Sequence, residues 1–130
     1  MKRHVFGFEE LDVYKAARAF RNKVYVLCRQ LPPDERFGLT SQMKRASVSV
    51  TSNMAEGYAR YTWQDRARFF HMARGSVAEL VDQLGLCVDM TYLGQQIVDE
   101  LRHDAIRVAQ MINGYIRSLH VRRDQPPSEG

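Results

Sequence analysis

The chain has 130 residues, of which 45% are hydrophobic and 26% are charged, and its formal net charge at pH 7 is +4. These values are typical of a single globular domain. No apolar run approaches the roughly 20 residues that cross a bilayer, and the basic N-terminus lacks the apolar stretch of a secretory signal. We therefore expect a cytoplasmic protein that has no membrane partner. The positive charge is compatible with an anionic partner such as nucleic acid, but many soluble proteins carry the same charge without such a partner.

Helical spacing of apolar residues accounts for the first half of the chain. The first predicted helix runs from about Glu9 to Leu31 and ends at Pro32-Pro33. The second runs from about Pro33 or Arg36 to Ala59. Its centre, ASVSVTS, alternates as a β-strand would, but we find no partner strand and the helical spacing continues on both sides. We predict a helix whose small side chains either close a bundle or form a contact between subunits.

The second half of the chain shows clearer helix boundaries. Thr62, with Asp65 three residues later, is a predicted N-cap for a third helix from Trp63 to Asp89. Gly75 and Gly85 lie inside this helix. Each glycine costs roughly 1 kcal/mol relative to alanine, so we expect close helix packing at both. The fourth predicted helix runs from about Gln95 to Leu119.

Four amphipathic helices with short connections predict an all-α fold, namely an up-down-up-down four-helix bundle in a single domain. The bundle is expected to cover residues 1–120. Residues 121–130 contain two prolines and little that would be buried, so we predict a flexible C-terminal tail.

The sequence favours neither a catalytic nor a metal site. Glu100 and His103 have the Glu-x-x-His spacing of di-metal bundles, but no second copy exists and Arg102 lies between them. No nucleophile with a paired base and no phosphate-binding glycine loop is evident. We interpret Cys28 and Cys87 as reduced core thiols, with a disulfide left open. We expect no enzymatic activity, no metal and no cofactor.

Cations collect at one end of the predicted bundle, where the N-terminus, the connection between helices two and three, and the C-terminus meet. We call this the basic end and predict that it binds nucleic acid. Its cations are Lys2, Arg3, Arg60, Arg66, Arg68, Arg117, Arg122 and Arg123. Tyr58, Tyr61 and Trp63 lie among them, where they either stack on bases or plug the end of the bundle. The opposite end, at the connections between helices one and two and between helices three and four, is predicted to be acidic, and we call it the acidic end. Its carboxylates are Asp34, Glu35, Asp82, Asp89, Asp99, Glu100 and Asp104.

A second polar set suits packing rather than ligand binding. Arg45 and Glu56 are about three turns apart on helix two, and Glu56 and Arg60 have the i,i+4 spacing of an ion pair. Glu79 lies on the antiparallel third helix. We expect these four residues to pair within or between subunits. Asn53, on an otherwise apolar seam, is predicted to fix the register.

Several motifs resemble one bacterial family: FEELDVY at 8–14, FGLTSQ at 37–42, SNMAEG at 52–57 and ARGSVAEL at 73–80. These motifs are similar to those of four-helix-bundle proteins encoded in intervening sequences of large-subunit (23S) ribosomal RNA genes, over residues 8–119. The resemblance implies a left-handed bundle that forms a homopentamer. It also implies a distant similarity to accessory variability determinants of diversity-generating retroelements, which are basic pentamers that bind nucleic acid and a reverse transcriptase.

The combined expectation is a non-enzymatic homo-oligomer, pentameric by the resemblance, that binds RNA or DNA weakly through its basic end. The alternative is a protein-interaction module that recruits a protein partner and does not bind nucleic acid. Salt-dependent binding to nucleic acid distinguishes the two hypotheses.

Overall fold

A computed structural model describes the backbone of residues 6–123 and the side chains of residues 6–121. The described chain forms four helices and no strand: α1 (Asp12–Leu27), α2 (Leu39–Tyr58), α3 (Trp63–Asp89) and α4 (Gln95–Arg123). Short 3₁₀ turns lie at Gly7–Glu10, Cys28–Gln30 and Pro33–Glu35. The predicted all-α fold is confirmed. Among the described helices, none is both long enough and apolar enough to cross a bilayer.

The four helices form a square. Each packs against the next along the chain and α1 also packs against α4, whereas the backbones of the described diagonal pairs lie farther apart. Neighbouring helices run in opposite directions. Leu27 at the end of α1 lies beside the first turns of α4, whereas Val13 at its start lies beside Tyr115 near the other end of α4. The core contains large apolar side chains from all four helices, including Phe20, Met43, Phe70 and Ile112. The predicted up-down-up-down topology is therefore confirmed.

Four helix boundaries differ from the sequence prediction by about three residues or more. The α1 helix begins at Asp12 rather than Glu9, after the 3₁₀ turn at Gly7–Glu10. The α1 helix ends at Leu27, and the chain continues as the 3₁₀ turn Cys28–Gln30. Pro32 and Pro33 then prevent a return to α-helix. The α2 helix begins only at Leu39, because Gly38 adopts a non-helical conformation (φ −110°, ψ −111°). The α4 helix continues past Leu119 to Arg123 and so includes the first residues of the predicted tail. Residues 124–130 lie outside the described part.

The connection between α3 and α4 is a Schellman motif with a threonine where glycine is usual. Thr91 has φ 59°, the Tyr92 N–H donates to the Cys87 carbonyl at 2.8 Å, and the Thr91 N–H donates to the Val88 carbonyl at 3.0 Å. The Tyr92 hydroxyl donates to Glu35 at 2.9 Å. Glu35 also accepts from the Leu39 N–H at 3.2 Å, so one carboxylate links this turn to the start of α2.

Several small residues of α2 face the interior of the bundle. Ala46, Ser47, Val50 and Thr51 are all buried. The buried hydroxyl of Ser47 donates to the Lys44 carbonyl of its own helix at 2.7 Å, which removes most of the cost of burying it. These residues therefore help to close the bundle. Val48 and Ser52 of the same segment are exposed, and a contact between subunits through them stays a prediction.

Glycine packing is found at a position other than the two expected. A Cβ atom added to Gly57 on α2 would lie 2.7 Å from the Phe69 Cβ and 3.2 Å from the Arg66 carbonyl oxygen, both on α3. Gly75 and Gly85 have nothing within 4 Å of an added Cβ. The expectation of close packing within the chain at Gly75 and Gly85 was wrong, because both lie on outward parts of α3.

Alanine substitutions at two glycines are expected to have opposite effects on stability. Gly57→Ala should lower the free energy of unfolding by about 1–3 kcal/mol, because the new methyl group overlaps α3. Gly75→Ala should raise it by up to about 1 kcal/mol, because alanine is the better helix former in open space. Urea denaturation of both variants measures this difference. Equal effects of the two substitutions would contradict the packing described here.

Candidate nucleic-acid interface

The basic end is built on the four-residue connection between α2 and α3. Its first two residues are hydrogen-bonded to the last turn of α2. The Ala59 N–H donates to the Glu56 carbonyl at 3.2 Å, and the Arg60 N–H donates to the Gly57 carbonyl at 3.0 Å. At its other end the Thr62 hydroxyl accepts from the Asp65 N–H at 3.0 Å, which confirms the predicted N-cap. The connection is thus held by hydrogen bonds on both sides.

Two exposed arginines share one aromatic ring and one carboxylate. The guanidinium carbons of Arg60 and Arg68 lie 4.4 Å and 4.8 Å from the centre of the buried Phe69 ring. Asp65 accepts from the Arg68 Nε and Nη2 at 3.0 Å and 2.9 Å, and its other oxygen lies 3.8 Å from the Arg60 Nε. The side chains remain 43% and 60% exposed. We call Arg60 and Arg68 the arginine pair. Its two charges exceed that of Asp65, so it keeps a net positive charge.

Arg66, between the two, has an internal role. Its Nη2 donates to the Tyr58 carbonyl at 2.8 Å and its Nη1 to the Tyr115 hydroxyl at 3.4 Å. Its guanidinium carbon lies 4.4 Å from the centre of the Tyr58 ring and 5.0 Å from that of Trp63. Arg66 therefore joins the end of α2 to α3 and α4. These contacts favour a structural function over the predicted contact with nucleic acid.

The three aromatic residues of this region divide between the two roles that the sequence left open. Tyr58 and Trp63 are partly buried and lie beside the Arg66 guanidinium, so they close the end of the bundle. Tyr61 is fully exposed. It is therefore the aromatic residue of this turn whose ring faces remain accessible to a ligand.

The other predicted cations are described less completely. Arg117 is exposed on α4. Arg122 and Arg123 continue the α4 backbone, but their side chains lie outside the described part, as do Lys2 and Arg3 entirely. Of the predicted cations, Arg60 and Arg68 are therefore the two that described contacts bring together, at Asp65 and Phe69.

A basic group on α3 and α4 was missed by sequence reasoning. Arg74 donates to the Asn113 side chain at 2.5 Å, and its Nη2 lies 2.9 Å from the His71 Nδ1. Partial burial, then the charges of Arg74 and His120, lower the pKa of His71. Protonation of His71 would add charge to this seam as pH falls. The His-x-x-Arg spacing at 71–74 places both residues on one helix face and was the available signal.

The polar set predicted for packing is only partly joined within the chain. Arg60 pairs with Asp65 rather than Glu56, because Asp65 lies on the first turn of α3 directly across the connection. Arg45, Glu56 and Glu79 are exposed, and none of them forms an ion pair with another in the described residues. Their pairing between subunits stays a prediction.

Asn53 bonds within α2 to Ser49, whose hydroxyl makes the contact with α3. Its Nδ2 donates to the Ser49 carbonyl at 2.9 Å and to the Ser49 hydroxyl at 3.0 Å. The Ser49 and Ser76 hydroxyls lie 2.9 Å apart across the two helices. Because this contact requires one alignment of α2 with α3, it supports the proposed role of Asn53 in fixing the register.

The core thiols are shielded from solvent. Cys28 and Cys87 are free and buried, and the Cys87 thiol lies 3.8 Å from the Met43 sulfur. Burial above all, with the nearby Cys28 and Glu35, raises the pKa of Cys87 to about 11. Cys87 is therefore protonated at neutral pH. The described residues contain no group of three or more His, Cys, Asp or Glu that would suit a metal ion.

A groove runs along the seam between α1 and α4. Its two adjoining cavities each have a volume of about 490 Å³, and the exposed Lys23–Asp104 ion pair (2.8 Å) lies where they meet. Towards the acidic end the groove is mainly apolar. The apolar side chains that line it there are Val26, Leu27, Ile97 and Leu101.

Comparison with known proteins identifies the family. Residues 9–114 match the family described as 23S rRNA-intervening sequence protein. The chain belongs to this family. The family resemblance seen in the motifs is thus confirmed for most of the chain, and the matched region includes the α2–α3 turn.

A solved structure shows the same fold. It is a protein of unknown function from the S23 ribosomal protein family of Bacteroides thetaiotaomicron VPI-5482, with a TM-score of 0.74 and 17% sequence identity. The match covers 80% of this chain and 97% of that one. No curated protein matches the chain. At this identity the structural likeness establishes the four-helix fold alone.

Substitution of Arg66 tests its structural role. Arg66→Ala should lower the free energy of unfolding by about 1–3 kcal/mol, because it leaves the Tyr58 carbonyl without its charged donor and removes two cation–π contacts. Arg68→Ala is the matched control and should cost no more than about 1 kcal/mol, because its ion pair is exposed. Chemical denaturation gives both values. An Arg66→Ala variant as stable as Arg68→Ala would show that Arg66 does not fasten the bundle.

Proposed function

We propose that this protein is a non-enzymatic, homo-oligomeric bundle of the cytoplasm that binds RNA or DNA weakly through its basic end. The observation that carries the proposal is the arginine pair. Its guanidinium groups are exposed, positively charged and already oriented by Phe69 and Asp65. A planar guanidinium presents several N–H donors to phosphate oxygens in a fixed arrangement.

Pre-orientation strengthens binding because less side-chain entropy is given up when a phosphate is bound. Asp65 orients the arginine pair, but its charge also offsets part of theirs. One chain therefore presents few net charges at this end, and each phosphate contact adds only a modest, salt-sensitive contribution. These opposing effects support weak rather than tight binding by a single copy.

Assembly would multiply this weak contact. The family resemblance implies a homopentamer, in which five arginine pairs would act on one nucleic acid with a raised effective concentration. We place the subunit contact on the outer face of α2 and α3. This face carries the apolar Val48 and Met72 beside charges of both signs on Arg45, Glu56 and Glu79, a composition that suits contact with a second copy.

Binding is tested by fluorescence anisotropy with short labelled RNA and DNA over a series of salt concentrations. Affinity should fall as salt rises, because phosphate contacts release counterions. The double variant Arg60→Ala/Arg68→Ala should bind more weakly, with a salt slope reduced by about one unit for each phosphate that the arginine pair neutralises. The matched control is Arg29→Ala/Arg36→Ala. Like the arginine pair, Arg36 lies over an aromatic ring, because its guanidinium carbon is 5.2 Å from the centre of the Phe37 ring.

The control variant should bind as the unsubstituted protein does, because its arginines lie at the acidic end beside Asp34 and Glu35. Equal losses of affinity in both double variants would indicate a general charge effect and contradict a site at the arginine pair. Undetectable binding to RNA and DNA at low salt would overturn the nucleic-acid function.

Assembly is tested by the mass of the protein in solution. Sedimentation equilibrium should give five times the chain mass of 15.1 kDa. Met72→Glu should reduce that mass, because it places a charge in an apolar subunit contact. Ile106→Glu on α4 is the matched control, since both side chains are 47% exposed. A single-chain mass for the unsubstituted protein, or equal effects of both substitutions, would contradict assembly through the α2–α3 face.

The alternative function is a protein-interaction module without nucleic-acid binding. The apolar half of the α1–α4 groove favours it, because grooves of this kind accept the apolar face of a partner helix. The salt-dependent binding measurement separates this alternative from the proposed function.

A further inference from the structure

Tyr61 lies at the tip of the connection between α2 and α3, directly after Arg60 in the chain. Its side chain is fully exposed, whereas the neighbouring aromatics Tyr58 and Trp63 are partly buried beside Arg66. The internal packing of this end therefore does not require the Tyr61 ring. An accessible aromatic ring next to an exposed arginine pair offers two different contacts to one nucleotide.

The backbone on both sides of Tyr61 is anchored by hydrogen bonds. Hydrogen bonds of 3.0–3.2 Å fix residues 59 and 60 to the last turn of α2. The Thr62 hydroxyl caps α3 at 3.0 Å. Tyr61 is thus presented between two anchored neighbours, and binding of a ligand there costs less backbone entropy.

We infer that Tyr61 is a stacking platform for an unpaired base whose flanking phosphates contact the arginine pair. The basic end would then prefer single-stranded or looped nucleic acid to duplex. The inference rests on the proposed nucleic-acid function and specifies its ligand class.

The chemistry of the two ligand forms supports this preference. Inside a duplex the faces of each base are covered by the neighbouring bases, so an aromatic side chain on an exposed turn meets the sugar-phosphate backbone everywhere except at the two duplex ends. In a single strand or loop a base can leave its neighbours and lie on the tyrosine ring. The arginine pair can contact phosphates in either form, whereas Tyr61 contributes only to the unpaired form.

The test compares the affinity of the full chain for a single-stranded RNA of about 12 nucleotides, within the usual range for such sites, with that for its duplex at low salt. Fluorescence anisotropy should show tighter binding of the single strand. Tyr61→Ala should weaken single-strand binding about tenfold, the effect expected of removing one base–aromatic stack, and leave duplex binding unchanged. Tyr61→Phe should retain the preference, and Tyr61→Leu should abolish it despite its apolar bulk.

The matched control is Tyr25→Ala. Tyr25 is also exposed, but it lies beneath Lys44, whose Nζ is 5.1 Å from its ring centre, on the α1–α2 side of the bundle. This variant should bind both RNA forms as the unsubstituted protein does. Thermal denaturation of every variant shows whether the fold is retained, and Tyr61 variants should melt as the unsubstituted protein does because the side chain is exposed.

The possible results separate this inference from the proposed function. Equal affinity for the two RNA forms, or equal weakening of both by Tyr61→Ala, would overturn the stacking role while the arginine-pair variants still decide the nucleic-acid function. A Tyr61→Ala variant that keeps the single-strand preference would overturn it as well. Absence of binding to either RNA form would overturn both.

Discussion

At Gly57 the backbone of α2 lies against the Phe69 side chain of α3 with no room for a methyl group. This close approach seats Phe69 in the end of the bundle, where its ring supports the guanidinium groups of Arg60 and Arg68. Farther along the same seam, the Ser49–Ser76 contact fixes how α2 is aligned with α3. The candidate interface therefore depends on the packing of two helices, and a change at Gly57 would move the arginine pair without altering either arginine.

Three arginines within nine residues lie in different environments because they differ in burial and in contacts. The Arg66 guanidinium is enclosed by Tyr58 and Trp63, and its Nε has no hydrogen-bond partner in the described structure. Its hydrogen bond to the Tyr58 carbonyl and its aromatic contacts offset part of the cost of removing its charge from water. The guanidinium groups of the arginine pair are exposed, so their charges stay hydrated and some of their N–H groups remain available to a ligand. A basic cluster in sequence is thus divided by the fold into a structural cation and two exposed ones.

Local patterns predicted the helices well and the contacts between helices poorly. Both boundaries of α3 follow from the Thr62 cap and the apolar spacing up to Asp89. The same reasoning selected Gly75 and Gly85 for close packing because glycine is costly in any helix, yet Gly57 is the one that α3 approaches. That distinction depends on which side chain faces the glycine from another helix. The internal position of Arg66 did have a signal in the sequence. Arg66 lies four residues before the buried Phe70, and so on the inward side of α3.

The basic end and the apolar half of the α1–α4 groove lie towards opposite ends of the described bundle, and their charges differ. The arginine pair and Tyr61 occupy the α2–α3 turn, whereas the apolar half of the α1–α4 groove lies near Glu100 and the acidic end. Carboxylates there repel the phosphate backbone, so nucleic acid would be directed to the basic end and away from the groove. A protein bound in the apolar half would not meet a phosphate at the arginine pair. Nucleic-acid binding and partner recruitment are therefore physically compatible in one chain, and substitutions at one surface would leave the other intact.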